Sequence, residues 1–326
     1  MAGELWNMQF EVGKESTPNT PVASTRLMYF GMDSKLTRER DVRIRRYATG
    51  ARENARAASL GVERCGGVLT APLSASEIIE LLLCTIKGAV TPTGAGTAKL
   101  WTFVPGTTLD PLTIRYHDGA RPWRGSGYYG TKLTIAGSVT DETKVTCDLI
   151  GRSLVQSALT GGLTGRVPDV IEGWETKLYI DSFGGTAGST VVSDTLINWS
   201  VEIDNQIKRS FWANNAAGAG ALPLGELAVK ASLVFEAAPA GTLTEYNNWD
   251  AATKRLVRLE FGQNEVISGA DKKFVTIDLP GAWTMVSREG EAEGTRTYEL
   301  TLEALYDTTN SYSLQIRAQN ARTAAY

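Results

Sequence analysis

A single histidine and three cysteines bound the chemistry open to this 326-residue chain. His117 stands alone in Tyr116-His117-Asp118-Gly119, so a Ser–His or Cys–His relay would rest on one residue, and histidine-rich zinc sites are excluded. Its setting, a strand end running into a turn, suits a solvated imidazole better than a catalytic base. Cys65, Cys84 and Cys147 are odd in number and lie in apolar or strand-like stretches. They read as small hydrophobes of a chain folded in a reducing cytoplasm, not as a disulfide framework. Gly94-Ala95-Gly96 lacks the third glycine of a dinucleotide loop, and no phosphate-loop lysine follows any glycine run. Glu299 and Glu303 could in principle serve a glycosidase, beside sugar-stacking tryptophans. Both, however, alternate with Tyr298, Leu300, Leu302 and Tyr306, which makes them the polar face of an amphipathic strand. The reading is a non-enzyme with no catalytic residue, no metal ligand and no cofactor.

The densest charge cluster needs a different explanation. From Lys35 to Arg56 there are eight basic residues, Arg43, Arg45 and Arg46 among them, and three acidic ones. Val42 and Ile44 alternate with Arg43 and Arg45, the pattern of an extended hairpin arm. Phosphate contact would favour interleaved aromatic residues, but only Tyr47 is present and acids interrupt the run, so the arm is expected to face protein. Globally the charge is only −3, which marks the chain neither for nucleic acid nor for a membrane surface. The longest apolar stretch, residues 78–86, is broken by Glu80 and Thr85 and is too short to span a bilayer. The first ten residues carry no signal pattern.

Positioning these groups falls to β-strands. Period-two alternation bounded by Gly, Asp, Asn and Thr predicts strands at 26–30, 99–104, 112–116, 132–136, 144–149, 177–180, 197–203, 227–235, 255–261, 274–279, 295–305 and 312–316. One segment is strongly helical: the capping box Ser74-Ala75-Ser76-Glu77, then Ile78, Leu81, Leu82 and Ile86 on one face, stopped by Gly88. With 42% hydrophobic residues the chain can bury a sizeable core, and the class is mainly β.

The landmarks recur in the same order in both halves, which predicts a duplication. Residues 25–29 return in character at 176–180. Ala71-Pro72 precedes the first capping box, and Ala238-Pro239 precedes a second, Thr242 to Glu245. Gly130-Thr131-Lys132 is matched by Gly294-Thr295-Arg296. The predicted division is an N-terminal arm at 1–20, a first unit at 21–156, a linker at 157–173 and a second unit at 174–326. Each unit is expected to be a β-sandwich or half-barrel with a short flanking helix.

Three stretches then resemble a known family. Glu15-Ser16-Thr17-Pro18-Asn19-Thr20-Pro21-Val22-Ala23, running into Ser24-Thr25-Arg26-Leu27, is similar to the opening of major tail tube proteins of long-tailed, non-contractile phages. So are the strand Trp199-Ser200-Val201-Glu202-Ile203-Asp204-Asn205, leading to Lys208-Arg209-Ser210-Phe211, and the late pattern of residues 275–280 and 298–307. The resemblance implies a structural virion protein whose rings of six folds stack into a tube that passes DNA. Its implied partners are itself, tail tip and terminator proteins, the tape measure protein and phage DNA in the lumen, with no membrane. Its implied place is the virion tail, after assembly in the host cytoplasm. If the fold is duplicated, three chains should close a pseudo-hexameric ring; a homohexamer is the alternative. Arg43, Arg45 and Arg46 become the expected inter-ring contact.

A channel that conducts DNA must not grip it, because each phosphate–Lys or phosphate–Arg contact adds affinity regardless of sequence. The resemblance likewise implies an acidic inner surface. Strand alternation nominates Asp148, Glu202, Asp204, Glu299 and Glu303 for that lining, opposite Val145, Cys147, Val201, Ile203, Leu300 and Leu302. Two other readings compete: a carbohydrate-binding or glycosidase β-sandwich, and another virion shell or fibre component.

Overall fold

The structure, a computed structural model, describes residues 5–166, 169–192, 195–214, 216–237, 241–292 and 294–326. Alternation becomes strand wherever one face finds apolar cover. In the first half these are β1 (Met8–Lys14), β2 (Arg26–Met28), β3 (Lys35–Arg46), β4 (Ala55–Pro72), β5 (Lys99–Phe103), β6 (Leu112–Asp118), β7 (Pro122–Ser138), β8 (Lys144–Gly151) and β9 (Ser153–Gln156). Helix α1 (Ile78–Thr85) lies between β4 and β5. The second half has β10 (Lys177–Ser182), β11 (Val191–Val192), β12 (Leu196–Asp204), β13 (Ala228–Glu236), β14 (Arg255–Ser268), β15 (Asp271–Ala292), β16 (Thr295–Ala304) and β17 (Gln315–Asn320). Helix α2 (Gly241–Asp250) separates β13 from β14.

All the strand pairings are antiparallel, and the second half repeats the pattern of the first. In the first, β1 pairs with β2 and β6, β7 with β6, β8 and β9, and β4 with β3 and β8. In the second, β10 pairs with β11 and β14, β15 with β14, β16 and β17, and β13 with β12 and β16. β7 and β15 are long strands that serve two sheets. Their N-terminal halves lie in small sheets with β6 and β9, or with β14 and β17. Their C-terminal halves join one large sheet.

That sheet runs β3-β4-β8-β7-β12-β13-β16-β15, eight strands, with the β7·β12 ladder joining the halves. A second tie between halves is β5, which occurs only in the first and pairs with β17. One continuous core lies between the large sheet and the small ones. Leu69, Leu133, Cys147, Val201, Leu233 and Leu300 meet Phe10, Ile114, Leu259 and Ile277 within it.

The predicted landmarks are displaced. Met8–Lys14, assigned to an arm, is the strand between β2 and β6. By pairing, the partner of 177–182 is therefore β1 and not residues 25–29. Ala238 and Pro239 lie outside the described residues. Gly294-Thr295-Arg296 leads into β16, the counterpart of β8, whereas the counterpart of Thr131 is Thr284. Each of these two threonines forms a β-bulge, and their hydroxyls donate to the carbonyls of Asp148 and Thr301 at 3.0 and 3.3 Å. The last strand begins at Gln315 instead of 312.

α1 also differs from its predicted one-faced character, since every residue from Ile78 to Thr85 is buried. The Ser74 hydroxyl accepts from the Ser76 and Glu77 N–H groups at 3.3 Å and so caps the entering turn. Glu80, 1% exposed, is tolerated because Arg322, 3% exposed, reaches it from beyond β17. One Arg322 nitrogen donates to Glu80 Oε2 at 2.9 Å; the guanidinium also donates to Glu80 Oε1 and to the Ser76 and Ala325 carbonyls. Asn320 adds a bond to the Ala75 carbonyl at 2.7 Å, so the chain's last segment bolts α1 of the first half. Breaking a buried pair by removing one partner strands a charge, at a cost of about 3–5 kcal/mol. Arg322→Met should therefore lose that much stability in urea unfolding of the subunit, and adding Glu80→Gln should restore part of it. Additive losses would show that the two side chains do not act as a pair.

Candidate assembly surfaces

Among the described residues, two strands end the large sheet without a partner on their outer side. β3 is paired through β4 alone, and the C-terminal half of β15 through β16 alone. Their counterparts, β12 and the C-terminal half of β7, pair with each other. Edge strands expose unpaired N–H and C=O groups and act as templates for another strand.

The sheet's two faces differ sharply. One is the core face. The other carries Asp148, Glu202, Asp204, Glu299 and Glu303 together, every one of them opposite the buried residues of its own strand. The register also brings lysines onto this face that alternation could have revealed but that the nominated set omits. Asp148, Lys132 and Asp204 lie directly opposite one another on β8, β7 and β12. Glu202, Lys230 and Glu303 do so on β12, β13 and β16. Each lysine is thus flanked by two carboxylates within the reach of cross-strand pairs. Lys132 also reaches diagonally to Glu202 Oε2 at 2.8 Å. That bond, with Asp148 and Asp204 close by, raises the Lys132 pKa and holds it charged. Glu299 accepts a bond from the Ser232 hydroxyl at 2.6 Å. The face is therefore one of interleaved charge, its lysines held among carboxylates.

Arg43, Arg45 and Arg46 lie on the part of β3 that, hydrogen-bonded to β4, projects past the length of β12 as an exposed hairpin. Arg43 and Arg45 share one face; Arg46 shares the other with the exposed Val42 and Ile44. The equivalent excursion of the second half, residues 205–227, is folded down against the base of this hairpin. There the Glu63 N–H donates to the Ala217 carbonyl at 2.8 Å, and Arg209 to the Cys65 carbonyl at 2.6 Å.

Of the other chemistry-bearing residues, Cys84 and Cys147 meet in the core around the Thr85 hydroxyl, at 3.7 and 3.8 Å. His117 Nδ1 accepts the Gly119 N–H at 3.2 Å across its turn. All three cysteines are buried, and burial pushes the Cys65 thiol up to about 12. Glu299 and Glu303 are four residues apart on one strand, about 13 Å, beyond the carboxylate spacing of either glycosidase class. A groove of about 380 Å³, lined in part by Lys14, Leu109, Asp110, Tyr129 and Leu222, borders neither of them nor His117. Among the described residues no cluster of three His, Cys, Asp or Glu is arranged to hold a metal, and no helix is long and apolar enough to cross a membrane.

Residues 6–304 match the family described as phage tail tube protein. The chain belongs to that family. It is a structural tail protein of a phage, and its place is the virion tail. Family membership carries association with copies of itself and with other tail components, and leaves the glycosidase reading without support. No curated protein matches the chain.

The Lys132 cluster of this tail tube protein is half-exposed, and exposed ion pairs contribute 0–1 kcal/mol. Lys132→Met, which installs the residue found at the equivalent position 285, should change subunit stability by less than about 1 kcal/mol in urea unfolding. A loss of several kcal/mol would make the cluster a structural element and not a surface feature.

Proposed function

We propose that this tail tube protein carries two tandem copies of one fold and that three chains close a ring, the rings stacking into the tube through which DNA is ejected. The observation that carries the reading is the repeated pairing pattern with its shared threonine bulge. Four strands per copy enter the large sheet, so three chains supply the 24 strands that six single-fold subunits would. Strands about 4.8 Å apart and tilted by about 40° then give a backbone diameter near ~48 Å, with room for a duplex. The first copy starts at β1 rather than at residue 21, and the second occupies 174–326 after the linker 157–173. The tail tip, terminator and tape measure proteins are the other tail components it would meet, after assembly in the host cytoplasm. Cross-sections of assembled tubes should show three chains per ring with two similar lobes each; six chains per ring would sink the reading in favour of a homohexamer.

In this ring the polar face of the large sheet is the lumen, because the opposite face is occupied by the core and helices. Asp148, Glu202, Asp204, Glu299 and Glu303 keep the lumen from gripping phosphate, and they do so partly by engaging Lys132 and Lys230. Replacing the five with Lys should leave tubes assembled and slow DNA ejection, the delay shrinking as salt screens the contacts. Ejection at the wild-type rate, or a tube with these five on its outer surface, would remove the assignment.

The β3–β4 hairpin contacts the next ring. Its apolar Val42, Ile44 and Leu60 are exposed in the subunit, and its arginines suit an acidic protein surface. Changing Arg43, Arg45 and Arg46 to Ala should block polymerisation while leaving the thermal unfolding of the subunit unchanged. Normal tube length from the triple variant would count against the inter-ring role.

A further inference from the structure

The in-chain junction between β7 and β12 is a template for a junction that the chain leaves open. We infer that the free edge of β3 in one subunit adds antiparallel to the free edge of the C-terminal half of β15 in a second copy, with Thr37 directly opposite Ser287. The inference rests on the ring proposed above and names the edges and the register that would close it.

The register follows from the two bulges and four ladders. Thr131 and Thr284 occupy the same bulge, which makes Met285 the counterpart of Lys132, Val286 of Leu133 and Ser287 of Thr134. One strand further, Leu133 faces Cys147 and Val286 faces Leu300, so Cys147 and Leu300 correspond. Cys147 faces Leu69 and Leu300 faces Leu233, which aligns β4 with β13. Gly66 faces Thr37 and Lys230 faces Glu202, which aligns β3 with β12. In the chain, Asp204 lies opposite Lys132, Ile203 opposite Leu133 and Glu202 opposite Thr134. Transferred to the open edges, these become Glu39 opposite Met285, Arg38 opposite Val286 and Thr37 opposite Ser287.

Three features of the edges fit a specific partner and not indiscriminate pairing. The exposed β3 edge bears Lys35, Arg38, Glu39 and Arg40, charges that oppose stacking on an unrelated strand. The β15 edge carries register shifts at Thr284 and between Ser287 and Gly290, which restrict the strands that fit it. Met285, exposed in the isolated chain, is covered when β3 of the next copy docks.

The seam between chains is also thinner than the junction within one. Inside the chain the halves share two ladders, β7·β12 in the large sheet and β5·β17 in the small one. Between chains β9 takes the place of β17, and the partner would have to come from between α2 and β14, where residues 251–254 are too few for a strand. Only the large sheet continues across the seam, so a ring should come apart at its three seams and not at its three in-chain junctions.

Thiol cross-linking reads the register directly. Residues directly opposite across an antiparallel pair have Cβ atoms about 4.5–5.5 Å apart, close to disulfide geometry. Tubes of the Thr37→Cys, Ser287→Cys variant, oxidised and run on a denaturing gel, should give covalent species ending at the trimer. A Thr37→Cys, Glu291→Cys control, shifted by about 13 Å along β15, should stay monomeric. Cross-linking in the shifted pair alone, or in neither pair while tubes keep three chains per ring, overturns the seam and leaves the ring reading standing. Six chains per ring overturns the ring reading itself. Should the cysteine variants not assemble, hydrogen exchange of wild-type protein decides: amides within 36–39 and 284–287 should gain protection from subunit to tube, and unchanged exchange there overturns the seam.

Discussion

An antiparallel sheet has to end somewhere, and at each end a row of backbone N–H and C=O groups is left without a partner. Everything distinctive about this chain follows from how its large sheet handles that constraint. Eight strands lie side by side, their inner face covered by one core and by α1, and the ladder stops at β3 and β15. A small sheet can hide an edge with a bulge, a proline or a helix. Here β3 is instead prolonged into a hairpin that runs beyond the sheet, and no described element covers the outer side of the C-terminal half of β15. An edge of this length, left bare in the subunit, favours association with another copy.

The same alternation that builds the core sets the chemistry of the opposite face. Because side chains switch sides at every residue, burying Val145, Cys147, Leu133, Val201 and Leu300 forces Asp148, Lys132, Glu202 and Glu299 to the other side. Pairing order then decides which charges meet. Lys132 falls between Asp148 and Asp204, and Lys230 between Glu202 and Glu303, so each of these two lysines has carboxylates on both sides. An acidic lining was the expectation from the residues alone; the register shows that the polar face carrying these acids is a mixed one, with Lys132 and Lys230 set between carboxylates. If this face is the lumen, as proposed, the consequence for a passing polyanion is the same, since a lysine engaged by carboxylates has less to offer a phosphate.

The class of structure and most strands were legible in alternation, which depends only on neighbours two apart. What alternation could not supply was order across the sheet. The β1 strand was legible and was missed: Met8, Phe10 and Val12 alternate with Gln9 and Glu11, although in the structure Glu11 and Gly13 are buried as well, between β2 and β6. The first helix looked amphipathic because Glu80 breaks its apolar run, yet a buried partner 242 residues away neutralises that charge. Several of the landmarks taken for a repeat do not correspond by strand pairing. What the two halves do share is a threonine whose hydroxyl bonds across a bulge, and a bulge has no signature until the partner strand is known. The polar-face acids were found because they alternate; the open edges were missed because an edge is a property of pairing, not of residue type.

Positions that correspond by strand pairing carry different residues in the two halves where their surroundings differ. Gly130 lets α1 sit directly on β7, since a Cβ there would come within 2.0 Å of the Thr85 hydroxyl. Its counterpart Trp283 instead donates its indole N–H to Glu245 of α2 at 2.8 Å, so the second helix is held by a polar bond and not by close approach. Of the two long excursions, one projects as the β3–β4 hairpin and the other folds down against its base through Glu63 and Arg209. Six separate copies of a single fold would each present the same excursion. Two copies joined in one chain, as proposed, would let one project an arm while the other braces it, and would replace every second seam by a junction with two ladders. In the proposed ring the physical gain would be in closure: three seams would form by collision between subunits instead of six, and the register of the other three would be set when the chain folds.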